Sequence, residues 1–260
     1  MWELQNNMLC GMAAGMAKAG LKPVVPIYSS FYQRGYDQVI HDICIQKLPV
    51  VLGVDRAGIV GNDGETHQGI LDLSFFKIVP NLTIMAPKDF TELEDMLSFA
   101  FSLHRPVAIR YPRGGESKIP FYSHGKIELG KAELLQAGKD ITIIAIGKMV
   151  SRAKEIATLL EQEGKEVELI NARFLKPIDE EMLLSSIQKT KNVVTIEDNI
   201  VVGGLASSVQ NIITTHRIPG VMMQCFGYPD TFIRHGKIEE IEKIYGMDTQ
   251  SIFEAIKNRK

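Results

Sequence analysis

Short apolar runs alternate with longer amphipathic stretches along the whole chain, and this alternation restricts the fold more than any other feature. Four apolar runs in the first half are predicted to be buried strands: Pro23–Tyr28, Pro49–Asp55, Leu82–Ala86 and Val107–Tyr111. The segments between them have helical periodicity: Phe31–Gln46, His67–Val79 and Asp89–Leu103. Asp89 and Glu92 have the spacing of a capping box at the start of the last helix. Strands that are apolar throughout and joined by helices indicate a parallel sheet covered on both faces.

A second series of the same kind follows a segment of different composition. Residues 114–140 are rich in Gly, Ser, Lys and Pro, and we interpret them as a linker with a short hairpin. The strands predicted beyond it are Ile141–Ile146, Glu166–Asn171, Asn192–Glu197 and Val221–Phe226, and the helices are Ser151–Gln162, Asp179–Gln188, Leu205–Thr214 and Thr249–Lys257. The predicted fold class is α/β, with two consecutive parallel-sheet domains at residues 1–122 and 139–260 and a linker at 123–138.

Composition and charge argue against several classes of protein. The formal net charge of −2 over 260 residues gives no bulk field that would attract nucleic acid or an anionic membrane. No apolar run approaches the roughly 20 residues that span a bilayer. The three cysteines, Cys10, Cys44 and Cys225, are odd in number and far apart, which favours a reducing compartment over a disulfide framework. We therefore expect a cytoplasmic protein without nucleic-acid or membrane partners.

Polar segments follow three of the predicted strands in the first half. They are Tyr28–Arg34, Asp55–Gly69 and Arg110–Gly114. Because ligands of open parallel sheets bind outside the carboxyl ends of the strands, these segments should share one edge of the sheet. The second is a long loop with four glycines, which points to unusual backbone angles or close ligand approach.

Each charged residue of this loop has two interpretations. Asp63 could be a turn residue and His67 a helix cap, whereas their occurrence together with Arg56 and Arg113 favours a functional cluster. Arginine binds phosphate through paired hydrogen bonds, and histidine can transfer protons near neutral pH. Two aromatic residues on the first segment, Tyr28 and Phe31, fit a stacking platform for a flat ring and a pair of core residues equally well.

Other polar residues are interpreted as structural. His41, Cys44 and His104 fall on predicted helices without partners at ligand spacing, so we expect no metal site. Glu197–Asn199 follows a strand of the second half and precedes two glycines, which favours a turn with Asx caps.

Several segments of the chain resemble a known enzyme family. YSSFYQRGYDQVIHDICIQKLPV, DRAGIVGNDGETHQG and RYPRG are similar to the 1-deoxy-D-xylulose-5-phosphate synthases, thiamine-diphosphate enzymes of the transketolase superfamily. IEDN with the following GG, and GYPDTFIRHG, resemble the C-terminal domain of that family. The resemblance covers residues 11–260. It implies a pyrimidine-binding domain, then a transketolase C-terminal domain, and assembly as a homodimer.

The resemblance also implies a reaction and residue roles. The family condenses pyruvate with glyceraldehyde 3-phosphate and releases carbon dioxide, and its product, 1-deoxy-D-xylulose 5-phosphate, is a precursor of isoprenoids, thiamine and pyridoxal. By similarity, the cofactor-binding residues would be Phe31 and Arg34, the phosphate-binding residues Tyr28, Arg56, Arg113 and Arg110, and the catalytic residues Asp63 and His67.

The chain departs from the family pattern in two respects. It contains no GDG-type metal motif, so the diphosphate-binding domain, where Mg²⁺ is expected, has no counterpart here. The family glutamate that protonates the aminopyrimidine aligns with Asn6, and an amide cannot supply that proton. We therefore expect weak or absent binding of thiamine diphosphate, and no activity, for this chain alone.

A reading-frame slip accounts for the opening MWELQNNMLC. The family block D-V-G-I-A-E-Q-H-A-V can be encoded as GAT GTG GGA ATT GCA GAA CAA CAT GCT GTG. Read one nucleotide later, and with a pyrimidine as the next nucleotide, these codons give Met-Trp-Glu-Leu-Gln-Asn-Asn-Met-Leu-Cys, which is residues 1–10. The hypothesis expects the frame to be restored at about Gly11 and the pyrimidine-binding domain to be truncated.

Three functions are consistent with the sequence. The chain could be a C-terminal fragment of the synthase, the small subunit of a split transketolase-like enzyme, or a non-catalytic dimeric assembly protein. Asn6 favours the third, but the intact DRAG and THQG blocks are hard to explain without substrate contact. The fragment is therefore the preferred interpretation.

Overall fold

The structure is a computed structural model that describes residues 3–115, 120–121 and 125–259. The elements of the first half are α1 (Glu3–Lys18), β1 (Val24–Tyr28), a 3₁₀ helix (Ser29–Arg34), α2 (Tyr36–Gln38), a π-helix (Val39–Cys44), β2 (Val51–Asp55), a second 3₁₀ helix (Gly61–Asp63), α3 (Asp72–Lys77), β3 (Thr83–Met85), α4 (Phe90–Ser102) and β4 (Val107–Arg110). Those of the second half are β5 (Glu133–Gln136), β6 (Ile141–Ala145), α5 (Met149–Gln162), β7 (Val167–Asn171), β8 (Phe174–Lys176), α6 (Glu180–Thr190), β9 (Asn192–Ile200), α7 (Leu205–Thr215), β10 (Met222–Tyr228), α8 (Ile238–Ile244) and α9 (Thr249–Lys257).

The strands form two five-stranded sheets, which confirms the predicted α/β class. The first has the order β1-β2-β4-β3-β8 and the second the order β10-β9-β6-β7-β5. In each sheet four strands are parallel, and one edge strand, β8 or β5, is antiparallel. Each predicted parallel sheet therefore carries one antiparallel edge strand that the sequence analysis did not identify.

One strand of the first sheet comes from the second half of the chain. β8 pairs with β3, with Ile84 opposite Lys176 and Met85 opposite Phe174. The predicted domain boundaries and linker stay predictions, and residues 116–119 and 122–124 of that region lie outside the described residues. The first sheet is complete only when both halves are present.

Several helices differ from their predicted extents. The helix expected at His67–Val79 begins at Asp72, because residues before it still belong to the preceding loop. The segment Phe31–Gln46 is divided among 3₁₀, α and π geometry. Residues on both sides of Gly11 form one continuous helix, α1. None of the described helices is long and apolar enough to cross a membrane.

The capping box predicted at the start of α4 is only half formed. Asp89 caps the helix by accepting the Glu92 N–H. The Glu92 carboxylate does not return to Asp89; it accepts the N–H of Lys88 and pairs with the Lys88 ammonium at 3.1 Å. The Arg173 guanidinium also donates to Glu92, at 2.7 Å, and both Lys88 and Arg173 bind Glu133. This buried cluster joins α4 to β5 and to the turn after β7.

A second buried ionic cluster is centred on Arg110, at the end of β4. Its Nε donates to Asp72 at 2.6 Å, and its Nη1 donates to Asp198 at 2.5 Å. The other oxygen of Asp198 lies 3.4 Å from Nζ of Lys148. All of these side chains except Lys148 are at least 97% buried. The cluster holds the two halves together through charge pairs that water does not screen.

Glu197–Asn199 is not the turn that the sequence favours. These residues lie within β9 and are fully buried. Asn199 accepts the Leu73 N–H and donates to Ser74, so it joins β9 to α3. Glu197 accepts the first N–H groups of α7, and burial raises its pKa to about 7. The segment is part of the contact between the halves.

Candidate functional site

The three polar segments lie at one edge of the first sheet. Tyr28, the last residue of β1, is in register with Asp55 at the end of β2. Val54 of β2 is in register with Arg110 at the end of β4. The loops that leave these strands therefore start side by side.

Asp63 lies between two arginines from different loops. Its carboxylate accepts a hydrogen bond from Nη1 of Arg56 at 2.8 Å and from Nη1 of Arg113 at 2.7 Å. The hydrogen bond from Arg113 is the main cause that holds the pKa of Asp63 below its usual value. Asp63 is therefore ionised at neutral pH, and it keeps two guanidinium groups close together at the surface.

A row of stacked side chains continues from this cluster. The Arg56 guanidinium carbon lies 4.0 Å from the centroid of the Tyr28 ring. Tyr28 stacks on Phe31 at 5.6 Å, and Phe31 meets the edge of His67 at 5.0 Å. Arg34 lies over Phe31 at 5.4 Å. Together with Asp63 and Arg113, these contacts bring together seven of the predicted site residues.

Two glycines close the loop that carries Asp63 and His67. The Gly58 N–H donates to the Gly69 carbonyl at 2.6 Å, and the Gly69 N–H donates back to Gly58 at 2.8 Å. Gly58 has a φ of +79°, and a Cβ atom added to it would lie 2.1 Å from Oδ2 of Asp198. Only glycine allows the loop to cross Asp198 this closely.

Residues of the second half of the chain also contact this loop. Gln68 accepts the Val60 N–H at 2.9 Å and donates to the Arg234 carbonyl at 3.2 Å. Ile59 and Ile70 pack into the apolar core of the second half. The sequence analysis missed Gln68, because a neutral side chain in a loop gives no signal of a distant carbonyl partner.

A cavity of about 820 Å³ lies beside Phe31. The first half contributes Phe31, Arg34 and Gln68 to its wall, and the second half contributes Ile200 and the segment 230–233. Its size is within the range of small-molecule and cofactor sites. An aromatic face with a guanidinium beside it suits a flat ring with polar substituents.

Two predicted site residues lie outside this cluster. Arg110 is 97% buried, and all three of its guanidinium nitrogens hydrogen-bond within the chain, so no face of it is open to a phosphate. Asn6 is half-buried in α1, and its carbonyl oxygen lies 3.4 Å from the position of a Cβ added to Gly35. Asn6 is thus next to the residue that ends the 3₁₀ helix of Phe31 and Arg34.

Comparison with known proteins places this geometry in a family. The family model "Transketolase, pyrimidine binding domain" matches residues 4–115, and "Transketolase, C-terminal domain" matches residues 130–252. A solved structure described as a split-gene transketolase, an inactive β4 tetramer, is 31% identical with a TM-score of 0.86, over 96% of this chain and 80% of that one. The chain belongs to the transketolase family.

Curated members of the transketolase family give a finer likeness. The chain is 47% identical to the 1-deoxy-D-xylulose-5-phosphate synthase of Caldanaerobacter subterraneus subsp. tengcongensis over 95% of its own length and 40% of the relative's. It is 48% identical to the synthase of Clostridium tetani over 94% of its own length and 39% of the relative's. The chain thus spans about 40% of the length of these relatives. A Campylobacter jejuni transketolase at 20% identity, with a TM-score of 0.78 over 95% of this chain and 37% of that one, shows the shared fold.

Proposed function

We propose that this chain forms the pyrimidine-side part of a 1-deoxy-D-xylulose-5-phosphate synthase. In that reaction pyruvate and glyceraldehyde 3-phosphate give 1-deoxy-D-xylulose 5-phosphate and carbon dioxide. The observation that supports it best is the continuous row Arg113–Asp63–Arg56–Tyr28–Phe31–His67. It combines a cationic phosphate site, an aromatic face and a titratable group within contact distance.

The cavity beside Phe31 fits the pyrimidine side of thiamine diphosphate. Phe31 would stack on the ring, and Arg34 would lie at its edge. The cofactor, when bound, supplies the electron sink for decarboxylation of a 2-keto acid. Mg²⁺ and the diphosphate would be held by the family's diphosphate-binding domain.

The arginine pair would bind the sugar phosphate. Arg56 and Arg113 donate to one carboxylate oxygen of Asp63, and this fixes the direction of both guanidinium groups. The Tyr28 ring packs against the Arg56 guanidinium. Asp63 would orient the pair, and His67, beside Phe31, would move a proton between the substrate and solvent. Arg110 has no place in this proposal, because its guanidinium is committed to Asp72 and Asp198.

Replacing Arg56 by methionine should weaken the binding of glyceraldehyde 3-phosphate about tenfold or more, because one charged hydrogen-bond donor is lost. The measurement is an NMR titration of the chain, followed at the amides of Arg56 and Asp63. Arg105→Met is the matched control, since Arg105 is exposed just before β4, at the end opposite Arg110. An unchanged dissociation constant in Arg56→Met would rule out the phosphate role.

The chain alone should form no 1-deoxy-D-xylulose 5-phosphate from the two substrates and thiamine diphosphate. By the resemblance, Asn6 stands where the family uses an acid on the pyrimidine, and an amide cannot supply that proton. The test is product detection by mass spectrometry against a protein-free blank. Turnover above that blank would contradict the proposal that a further domain or subunit is required.

The split-gene relative favours a second candidate function. This chain covers 80% of that structure, which is described as a split-gene transketolase and an inactive β4 tetramer. A subunit of such an enzyme would co-purify with a separate diphosphate-binding chain from the native source, whereas a fragment of a single-chain synthase would not. The cytoplasmic location stays a prediction in both cases.

We also propose that two copies of the chain associate. Met8, Met12 and Met16 form an exposed apolar stripe along α1, with exposures of 69%, 60% and 36%. Apolar stripes of this kind are typical of association surfaces. A homodimer is the state expected from the family, and sedimentation of the isolated chain would measure it.

A further inference from the structure

A second, smaller cavity lies at the start of α5, where both halves of the chain meet. Its volume is about 80 Å³. Gly114 and Gly115, just after β4, line one side, and Lys148 and Ser151 line the other. A cavity of this size suits one small group, since drug-sized ligands occupy pockets several times larger.

The position of this cavity within the second sheet is typical of ligand sites. β6 is the central strand, β7 lies on one side of it and β9 on the other. The chain therefore changes direction at the carboxyl end of β6, and such switch points form ligand crevices in α/β sheets. Gly147, with a φ of +60°, turns the chain from β6 into α5 at this point.

The backbone N–H groups at the N-terminus of α5 are available as hydrogen-bond donors. The helix has 14 residues and no acidic residue in its first turn, and no side chain in the described part of the chain caps it. The N–H groups of a first turn lack partners within the helix, and their dipoles favour an anion. α4, α6 and α9 are instead capped by aspartates.

A buried hydroxyl at the same place points independently to a missing partner. Ser151 is 95% buried and lines the cavity, and its Oγ has no hydrogen-bond partner among the described residues. Lys148 is a quarter exposed, and its ammonium, which lies 3.4 Å from Oδ2 of Asp198, carries three N–H donors, so it can bind a second acceptor. An anion in the cavity would accept from Ser151 and from Lys148.

We propose that the N-terminus of α5 binds one phosphoryl-sized anion, either free phosphate or the phosphate end of an ester. Ser151, Lys148 and the first-turn N–H groups would be its donors, except the N–H of Val150, which already donates to the Gly147 carbonyl at 3.0 Å. Gly114–Gly115 would lie against the anion without side chains. Asp89 also lines the cavity, so an anion of low charge fits better than a fully ionised one. Lys88 is already paired with Glu92 and Glu133, so it is no donor here.

An anion bound at α5 would affect the cluster of Arg56, Asp63 and Arg113 through one loop. Gly114 directly follows Arg113, which binds Asp63. Holding Gly114–Gly115 against an anion would therefore restrict the position of the Arg113 guanidinium. The proposal does not depend on the synthase reaction, because the donors of the α5 site are separate from Arg56 and Arg113.

The test is an NMR titration of the whole chain with inorganic phosphate and, separately, with glycerol 3-phosphate. We expect saturable shifts at the amides of Met149–Arg152 and Gly115. Lys148→Met and Ser151→Ala should each weaken them by about tenfold. Lys165→Met is the control, because Lys165 is exposed just beyond the far end of α5 and should leave the shifts unchanged.

A double variant, Arg56→Met with Arg113→Met, separates the two sites. It should abolish shifts around Asp63 and keep those of α5. A lower dissociation constant for inorganic phosphate would identify free phosphate as the ligand, and a lower one for glycerol 3-phosphate would identify a phosphate ester. The proposal is overturned if neither ligand shifts the first turn of α5, or if Lys148→Met and Lys165→Met bind alike.

Discussion

Replacing Arg110 by methionine should lower the free energy of unfolding by about 3–5 kcal/mol, because removing one partner leaves buried charges uncompensated. Asp72 and Asp198 would both remain buried, and Lys148, at 3.4 Å from Asp198, would offset one of them. Methionine keeps much of the side-chain volume, so the loss would report on charge rather than on a cavity.

The measurement is urea unfolding at neutral pH, with Arg105→Met as the control. Arg105 is exposed, so its replacement should change the unfolding free energy by less than about 0.5 kcal/mol. The triple variant Arg110→Met, Asp72→Asn, Asp198→Asn should recover part of the loss, because it removes the uncompensated charges. Equal stability of Arg110→Met and the wild type would show that the cluster does not hold the halves together.

Replacing Gly58 by alanine should lower the free energy of unfolding by about 2–5 kcal/mol, from a left-handed backbone and an overpacked contact together. The added methyl group would lie 2.1 Å from a carboxylate oxygen of Asp198, which Arg110 and Lys148 hold in place. The loop must then move away from the second half. We also expect weaker binding of glyceraldehyde 3-phosphate, since Arg56 and Asp63 lie on this loop.

Gly164→Ala, just beyond the C-terminal end of α5, is the matched control. Its φ of +79° equals that of Gly58, and an added Cβ would meet no atom of the described residues within 4 Å. It should therefore cost only about 1–2 kcal/mol. The two variants, compared by urea unfolding, separate backbone strain from collision with Asp198. If they were equally stable, the close crossing over Asp198 would not exist in solution.

Much of the fold followed from the sequence because buried parallel strands leave a local pattern. All eight predicted strands are present, since continuous apolar runs between helices have few other structures available. The prediction that the site segments share one edge of the sheet also rests on the parallel pairing of these strands. Tyr28, Phe31, Arg56 and His67 lie together because strands that pair in parallel deliver their following loops to one side.

The remaining features depend on contacts between distant parts of the chain. β8 is only three residues long and precedes a proline, so it has no periodicity to detect. Arg110 has the residue type and place of a phosphate ligand, and only the positions of Asp72 and Asp198 show that its charge is already used. Asp198 and Asn199 resemble turn residues, whereas they are strand residues facing the other half.

The crossing of β8 into the first sheet has a consequence during synthesis. The ribosome delivers β1 to β4 first, and β8 only after β5, β6, α5 and β7 have emerged. Until then β3 is an open sheet edge in the nascent chain, and open edges promote wrong pairing between chains. Because Phe174–Lys176 is synthesised late, the first sheet cannot be completed until much of the second half has been translated. A gene cut between the two sheets would leave that edge open permanently.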